Sequence, residues 1–136
     1  MDRVSVQQRA KNMSRIRCKD TKPETQLRKI VHALGFRYRL HANKLPGRPD
    51  IVFSRRKKLI FLHGCFWHHH AKCRDGRIPN SREDYWRPKL VGNKNRDVEN
   101  RRHLRRLGWR SLVIWECELA ARKKIERKVQ RFLERD

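Results

Sequence analysis

The sequence predicts an α/β protein in which a mixed β-sheet is flanked by helices. Segments with the helical period alternate with segments of the strand period in the order α-β-β-β-α-β-α. The 136 residues suffice for about one domain, and 37% of them are hydrophobic, enough for a modest core. Residues 1–20 are polar and basic. We therefore assign residues 1–20 to a basic N-terminal arm and 21–136 to a single domain.

The first helix is predicted over residues 22–34. Thr21 and Glu24 have the spacing of a capping box, Pro23 lies in the first turn, and large aliphatic residues recur every three or four positions up to Gly35. Residues 36–40 then alternate apolar with basic side chains, which is the pattern of a half-buried strand.

Two short apolar runs, 50–53 and 58–62, are separated by four polar residues and predict antiparallel neighbouring strands. Residues 63–88 have no sustained period, whereas residues 94–107 form a charged, helix-compatible segment that ends before Gly108. The run from Trp109 to Trp115 predicts the most apolar strand, with both tryptophans in its core. An amphipathic helix follows to the end of the chain. This order of elements is also that of the restriction-endonuclease-like core.

The net charge of +23 predicts a polyanionic partner. The basic residues are spread through the whole chain and not collected in one tail, although charge alone would equally fit a ribosomal protein. No secretory signal is visible in the first 20 residues, and no apolar run approaches the ~20 residues of a membrane span. Four cysteines, most of them near histidines or a strand, favour metal ligation in a reducing compartment. We expect a bacterial cytoplasmic protein associated with the nucleoid, without a membrane partner.

Asp50 follows Gly47-Arg48-Pro49 at the start of a predicted strand, where its carboxylate would face a crevice at the sheet edge. Phosphodiester hydrolysis needs such a carboxylate to hold a magnesium ion. A simple turn or strand-start role would also explain this residue, so the other motifs must decide.

The segment from His63 to Cys73 concentrates potential metal ligands and aromatic side chains directly after a strand. Structural zinc takes four cysteine or histidine ligands. Cys65, Cys73 and Cys117 supply three, and His70 is our choice for the fourth because it is nearest Cys73. The alternative is a set of free cysteines with solvated histidines; Cys18 in the arm is expected to be a free thiol.

Four segments together resemble one family, namely residues 45–50, 63–70, 85–86 and 107–117. In this order they are similar to the very-short-patch-repair (Vsr) DNA mismatch endonucleases, over nearly the whole chain from residue 11 to about residue 119. The resemblance implies a restriction-endonuclease-like fold with one structural zinc and catalytic magnesium. It further implies nicking of duplex DNA 5′ to the thymine of a T:G mismatch left by deamination of 5-methylcytosine.

The resemblance also assigns the catalytic residues. Asp50 and the backbone carbonyl of Leu62 would bind magnesium, whereas Glu24, His63 and Asp97 would orient metal-bound waters. His68 would act on the scissile phosphate or the attacking water, as general acid or general base. Many nucleases of this fold carry a second carboxylate two residues before a lysine; this chain lacks that carboxylate and has His63 in place of the lysine. Helix capping could explain Glu24 without catalysis, and a helix-face charge could explain Asp97.

The resemblance assigns Phe66, Trp67 and Trp86 to a wedge that enters the base stack beside the mismatch, with Met13 reaching the opposite groove. Without the resemblance, these aromatic residues would be interpreted as core. One departure from the family is that Ala71 and Lys72 separate His70 from Cys73, where a single residue is expected. The choice of the zinc-binding histidine therefore stays open.

Three other functions compete with this one. A catalytically silent zinc module could bind DNA structure, although it would not need Asp50 and three further polar residues to converge. A ribosomal-type protein would not need the cysteine, histidine and tryptophan segment. A restriction nuclease of the same fold would cut both strands, usually as a dimer. We expect a monomer whose partners are T:G-mismatched duplex DNA and, as a further candidate class, other mismatch-repair proteins.

Overall fold

A computed structural model describes residues 21–40, 44–68, 70 and 76–135. The chain forms α1 (Lys22–Ala33), β1 (Arg39–Leu40), β2 (Ile51–Phe53), β3 (Lys58–His63), α2 (Glu83–Arg106), β4 (Arg110–Trp115) and α3 (Arg122–Glu134), with 3₁₀ turns at Ser54–Arg56 and Glu116–Ala120. The predicted order α-β-β-β-α-β-α is confirmed. The predicted N-terminal arm, with Met13 and Cys18, lies outside the described residues, as does Cys73.

The four strands form one mixed sheet in the order β1-β2-β3-β4. β1, β2 and β3 are antiparallel neighbours, as the two apolar runs predict. β4 pairs with β3 in parallel, in a register that runs from Lys58 opposite Arg110 to His63 opposite Trp115. A parallel pair needs a long crossover connection, which here contains α2.

Helices cover both faces of this sheet. One face carries α1 and α3, whose buried Leu27, Ile30 and Val129 pack with Ile60 and Ile114 of the sheet. The other face carries the end of α2, where Leu104 packs with Val52, Leu59 and Phe61. Because both faces are covered, β2 and β3 are almost entirely buried rather than alternating.

The first helix begins as its capping residues predict. The Oγ1 of Thr21 accepts a hydrogen bond from the backbone N–H of Glu24, at 3.4 Å, and a proline occupies the first turn. The helix ends one residue before the predicted boundary, and Gly35 follows with a φ of +92°. Capping and hydrophobic periodicity agree here, which explains why the prediction is accurate.

Three structural predictions need correction. α2 begins at Glu83, about eleven residues before the predicted start, because the buried pair Trp86 and Leu90 extends it through Pro88. The predicted strand 36–40 is reduced to Arg39–Leu40. Trp115 is half-buried against histidine rings instead of lying in an apolar core.

No helix within the described part of the chain has both the length and the apolar character that crossing a membrane requires.

We expect Leu104→Ala to lower the free energy of unfolding by about 2 to 5 kcal/mol, because it empties a fully buried position beneath the sheet. Leu107→Ala is the matched control, since the Leu107 side chain lies at the end of the same helix and is 50% exposed; its cost should stay within about 0.5 kcal/mol. Denaturant unfolding of both variants measures the difference, and equal costs would contradict this packing of α2.

Candidate active site

The predicted catalytic residues meet at one edge of the sheet. β2 is antiparallel to β3, so Asp50 just before β2 lies near the end of β3, where the last residue is His63. The parallel strand β4 ends at the same edge with Trp115. The backbone N–H of Asp50 donates to the carbonyl of Ile60, 3.1 Å away, which joins this residue to the sheet.

A tight turn delivers Asp50 to this edge. Gly47 and Arg48 both adopt positive φ, at +79° and +51°. A Cβ on Gly47 would stand 3.1 Å from the Phe61 ring and 3.2 Å from the side chain of Asn100 in α2. Glycine is therefore required here for its backbone conformation and for the close approach of neighbouring side chains.

The carboxylate of Asp50 is largely removed from water. Its Oδ2 accepts a hydrogen bond of 2.6 Å from the backbone N–H of Leu62. Burial raises the pKa of Asp50 to about 6; the Leu62 bond opposes that shift, and the negative charge of Glu24 adds to it. A buried carboxylate near a second carboxylate is stabilised by a cation. The Asp50 carboxylate thus fits the magnesium position predicted for it, since magnesium binds through one or two carboxylates and keeps several waters.

Glu24 is held by a neighbour on the same helix, and the cap of α1 that the structure shows uses its backbone N–H and not its side chain. Its Oε2 forms an ion pair of 3.1 Å with Nη2 of Arg28, and both side chains are mostly buried. The charge of Glu24 raises the pKa of Asp50 and that of Arg28 lowers it, so the pair contributes opposing charges near the Asp50 carboxylate. Sequence reasoning missed Arg28 because an arginine on a helix of a basic protein carries no distinctive signal.

His63, His68 and Asp97 form a second compact group. Nδ1 of His68 lies 2.5 Å from Oδ2 of Asp97, whereas Nδ1 of His63 lies 4.0 Å from the same oxygen. Burial, followed by the nearby His68, lowers the pKa of His63 to about 4, although Asp97 acts in the opposite direction. His63 is therefore neutral at pH 7.

The two rings of this group are stacked, with centroids 3.9 Å apart and planes inclined by 4°. Their donor atoms and an Asp97 oxygen are near enough to one another for a metal ion to be considered. However, imidazole lone pairs lie in the ring plane, so two parallel rings direct them within two separate parallel planes and not toward one point. The geometry favours a hydrogen-bonded pair, in which Asp97 holds Nδ1 of His68, over a shared ion.

Cys65, His70 and Cys117 form a third group, whose donor atoms are close enough together to hold a metal ion. Sγ of Cys117 lies 3.6 Å from Nδ1 of His70. Zn–S and Zn–N bonds of ~2.3 Å and ~2.0 Å at a tetrahedral angle would separate these atoms by about 3.5 Å. Three of the four predicted zinc ligands are thus brought together with suitable spacing, and His70 is the histidine among them.

The predicted wedge residues form a closed aromatic cluster. Phe66, Trp67 and Trp86 meet edge to face at centroid distances of 5.2 to 6.1 Å. Trp86 is fully buried, Phe66 nearly so, and only Trp67 is half-exposed. Nζ of Lys89 lies 5.2 Å from the centroid of the Trp67 ring, a cation–π contact that the sequence did not predict.

Comparison with known proteins identifies relatives along most of the chain. A family model described as "DNA mismatch endonuclease Vsr" matches residues 1–74. The chain is 44% identical over 133 residues to the "Type II nicking enzyme V.XorIIP" of Xanthomonas oryzae, covering 98% of this chain and 97% of that protein. It is 41% identical over 117 residues to the "DNA mismatch endonuclease Vsr" of Escherichia coli, covering 86% and 74%. It is 42% identical over 118 residues to the "Type II nicking enzyme V.NmeAIP" of Neisseria meningitidis, covering 87% and 84%.

The raised pKa of Asp50 predicts a pH-dependent gain in stability for Asp50→Asn without metal. The folded-state pKa of about 6 exceeds the ordinary value of 3.8, so the Asp50 contribution to stability falls as pH rises through this window. At pH 7, with EDTA present, the asparagine variant should be more stable than wild type by about 2 to 3 kcal/mol.

The gain should shrink as pH falls and vanish only about one unit or more below the ordinary pKa of 3.8, where Asp50 is protonated in both the folded and the unfolded state. The lowered pKa of His63 makes the stability of both proteins rise with pH over the same window. This contribution is common to wild type and variant, so the difference between their free energies of unfolding is the quantity to measure. Urea unfolding at several pH values gives that difference. A constant difference, or a variant less stable at pH 7, would contradict the environment described for Asp50.

Proposed function

The chain belongs to the Vsr family of DNA mismatch endonucleases, and from this premise we propose that it nicks duplex DNA 5′ to the thymine of a T:G mismatch. The Asp50 carboxylate is the observation that carries the proposal. It is largely buried, so a bound cation would stabilise its charged form, and the His68–Asp97 pair lies near it. Phosphodiester hydrolysis uses such a combination of a metal-binding carboxylate and a proton-transfer group. We include in it the restriction-endonuclease-like fold, with magnesium as the catalytic ion. Names of two relatives refer to nicking, which supports cleavage of one strand.

In this proposal, Asp50 and the Leu62 carbonyl hold the magnesium ion. Magnesium bound there would activate a water and offset the negative charge that develops on phosphorus. The Leu62 N–H fixes the orientation of the Asp50 carboxylate through Oδ2 before any ion binds. Glu24, held by Arg28, and neutral His63 would accept hydrogen bonds from waters on the ion.

His68 is the proposed proton-transfer residue. Asp97 accepts a hydrogen bond from Nδ1 of His68, so the neutral ring keeps its proton on Nδ1 and presents the lone pair of Nε2. Nε2 can then exchange a proton with the attacking water or with an oxygen of the scissile phosphate. In this arrangement Asp97 positions His68 as well as the waters.

The aromatic cluster is the proposed source of mismatch selectivity. Trp67, half-exposed, would contact the base stack first, while Phe66 and Trp86 support it from behind. Within the described residues, the indole N–H of the buried Trp86 has no hydrogen-bond acceptor. An unsatisfied buried donor costs about 1 to 3 kcal/mol, so rearrangement of the cluster on DNA would recover part of that energy.

We further propose that zinc is structural and bound by Cys65, His70, Cys73 and Cys117. The spacing of Cys117 and His70 supports this, as does the link that the ion would make between β4 and the segment that carries Phe66 and Trp67. Fixing that segment would hold the aromatic residues at the sheet edge, so that less ordering is needed when DNA binds.

The test of the function uses labelled duplexes that differ only in one T:G or T:A pair, incubated with magnesium. We expect one nick, 5′ to the mismatched thymine, and none in the T:A duplex. Asp50→Ala should bind the mismatch but not cleave it. Wild-type nicking by this variant would remove Asp50 from the site, whereas binding without cleavage by wild-type protein would favour a silent DNA-binding module.

Zinc analysis provides a second prediction. Purified protein should contain one zinc ion per chain, and Cys117→Ala should lose it together with part of the folded structure, because structural zinc contributes ~10 to 16 kcal/mol of apparent binding energy in small peptides. Cys18→Ala is the matched control and should retain the metal. A zinc-free wild-type protein, or full zinc content without Cys117, would reject the site.

Trp67→Ala should reduce the ratio of T:G to T:A affinity and leave the salt dependence of binding nearly unchanged. Stacking supplies ~1 to 3 kcal/mol per base, whereas the salt dependence arises from phosphate contacts by basic residues. Binding curves at several salt concentrations measure both quantities. An unchanged ratio with a smaller salt slope would assign Trp67 to backbone contacts.

A further inference from the structure

Trp115 lies between two groups of functional residues. It is the last residue of β4, paired in register with His63, so the two side chains extend from the same face of the sheet. Cys117, two residues later in the chain, belongs to the group with Cys65 and His70. His63 belongs to the group with His68 and Asp97. The indole is therefore located where the proposed zinc site and the proposed catalytic site approach each other.

The indole contacts both groups through ring surfaces. Its plane is stacked on His70 at a centroid distance of 4.0 Å and an inclination of 7°. It meets His63 nearly at a right angle at 5.2 Å, and His68 in the same manner at 6.4 Å. His63 is in turn stacked on His68 at 3.9 Å. Four rings thus form one continuous assembly from Cys117 to Asp97.

The backbone of Trp115 is fixed independently of these rings. Its N–H donates to Oε1 of Glu118 at 2.9 Å, and Oε2 of Glu118 accepts from Nζ of Lys128 in α3 at 3.0 Å. Because the backbone is held at the end of the strand, the indole can move away from the histidine rings only by rotating about its own side-chain bonds. An aliphatic side chain would fill the volume but would have no flat surface to set the angle of an imidazole ring.

We propose that Trp115 is a positioning residue that transmits the geometry of the Cys65–His70–Cys117 group to His68 and so holds its ring in the orientation used for proton transfer. The role in nicking rests on the function proposed above. The transmission itself is a property of the ring assembly and can be tested without DNA.

The test compares Trp115→Leu, Trp115→Phe and Trp109→Leu. Leucine removes the flat surface, whereas phenylalanine keeps one. Trp109 is the matched control: it lies just before the same strand, is half-buried, and packs on the apolar cluster beneath α2. Among the described residues, its ring contacts no histidine. Thermal unfolding curves are recorded first, so that both readouts are taken at a temperature at which all variants are fully folded.

The first readout is the state of the histidine rings in the zinc-loaded, DNA-free protein, measured by ¹⁵N NMR at mildly alkaline pH. In wild type the His68 ring should carry its proton on Nδ1, bonded to Asp97. Trp115→Leu should give a mixture of tautomers, Trp115→Phe should restore the Nδ1 form, and Trp109→Leu should resemble wild type. A single Nδ1 tautomer in Trp115→Leu would overturn the proposal.

The second readout is the rate of nicking in a single turnover. Trp115→Leu should slow it roughly tenfold, as is typical when the support of a functional histidine is removed, with unchanged affinity for mismatched DNA. In a protein that already carries His68→Ala, adding Trp115→Leu should reduce the nicking rate little further. Adding Trp109→Leu to the same protein should reduce the rate by the same factor as it does in wild type. Additive losses for Trp115→Leu would assign it to general stability. If wild-type protein fails to nick T:G duplexes, the proposed function fails while the NMR result still decides the role of Trp115.

Discussion

The parallel pairing of β3 with β4 is the constraint on which the rest of the structure depends. A parallel neighbour can be reached only by a long crossover, and the helix in that crossover carries Asp97 to the sheet edge. The same pairing ends with His63 opposite Trp115, and Cys117 follows two residues later. One register therefore determines the relative positions of the His63–His68–Asp97 group and the Cys65–His70–Cys117 group, whose members are distant in sequence.

Electrostatics at the site oppose the character of the molecule as a whole. The chain carries a net charge of +23, yet the edge of the sheet gathers the carboxylates of Glu24, Asp50 and Asp97. The positive surface attracts any duplex through its phosphates, without regard to sequence. The largely buried Asp50 carboxylate is destabilising while it lacks a cation, and such perturbed groups cluster at functional sites. Under the proposed function, DNA binding and catalysis would depend on separate sets of charges.

Much of the fold could be predicted because local signals agreed with one another. Capping at Thr21, the aliphatic period of α1 and the two apolar runs each had a single interpretation. The start of α2 was missed because Pro88 signals a break; at the sixth helical position it does give up a backbone hydrogen bond, but the buried Trp86 and Leu90 supply packing on either side of it. Such a contribution from packing is invisible to a search for periodicity.

For the site, the sequence identified the residue types but not their contacts. Asp50, His68, Cys65 and His70 were found by motif, whereas the direct bond between Asp97 and His68 depends on how α2 crosses the sheet. Trp115 was interpreted as core because it is the last residue of an apolar strand, and its actual neighbours are fixed by the register of β4. Met13 and Cys73 lie outside the described residues, so the predictions for them stand as they were.

The closed aromatic cluster suits the selectivity proposed for a protein with so much positive charge. Phosphate contacts favour matched and mismatched duplexes alike, so the proposed discrimination requires a step whose cost differs between them. Under the proposed function, opening the cluster and inserting Trp67 would require the bases to unstack, which costs less at a mispaired step. The N–H of Trp86, which has no acceptor among the described residues, and the cation of Lys89 both lie in that cluster. Each would find an acceptor or a phosphate once the cluster opens, so the weaker stacking of a mismatched step would decide whether Trp67 inserts.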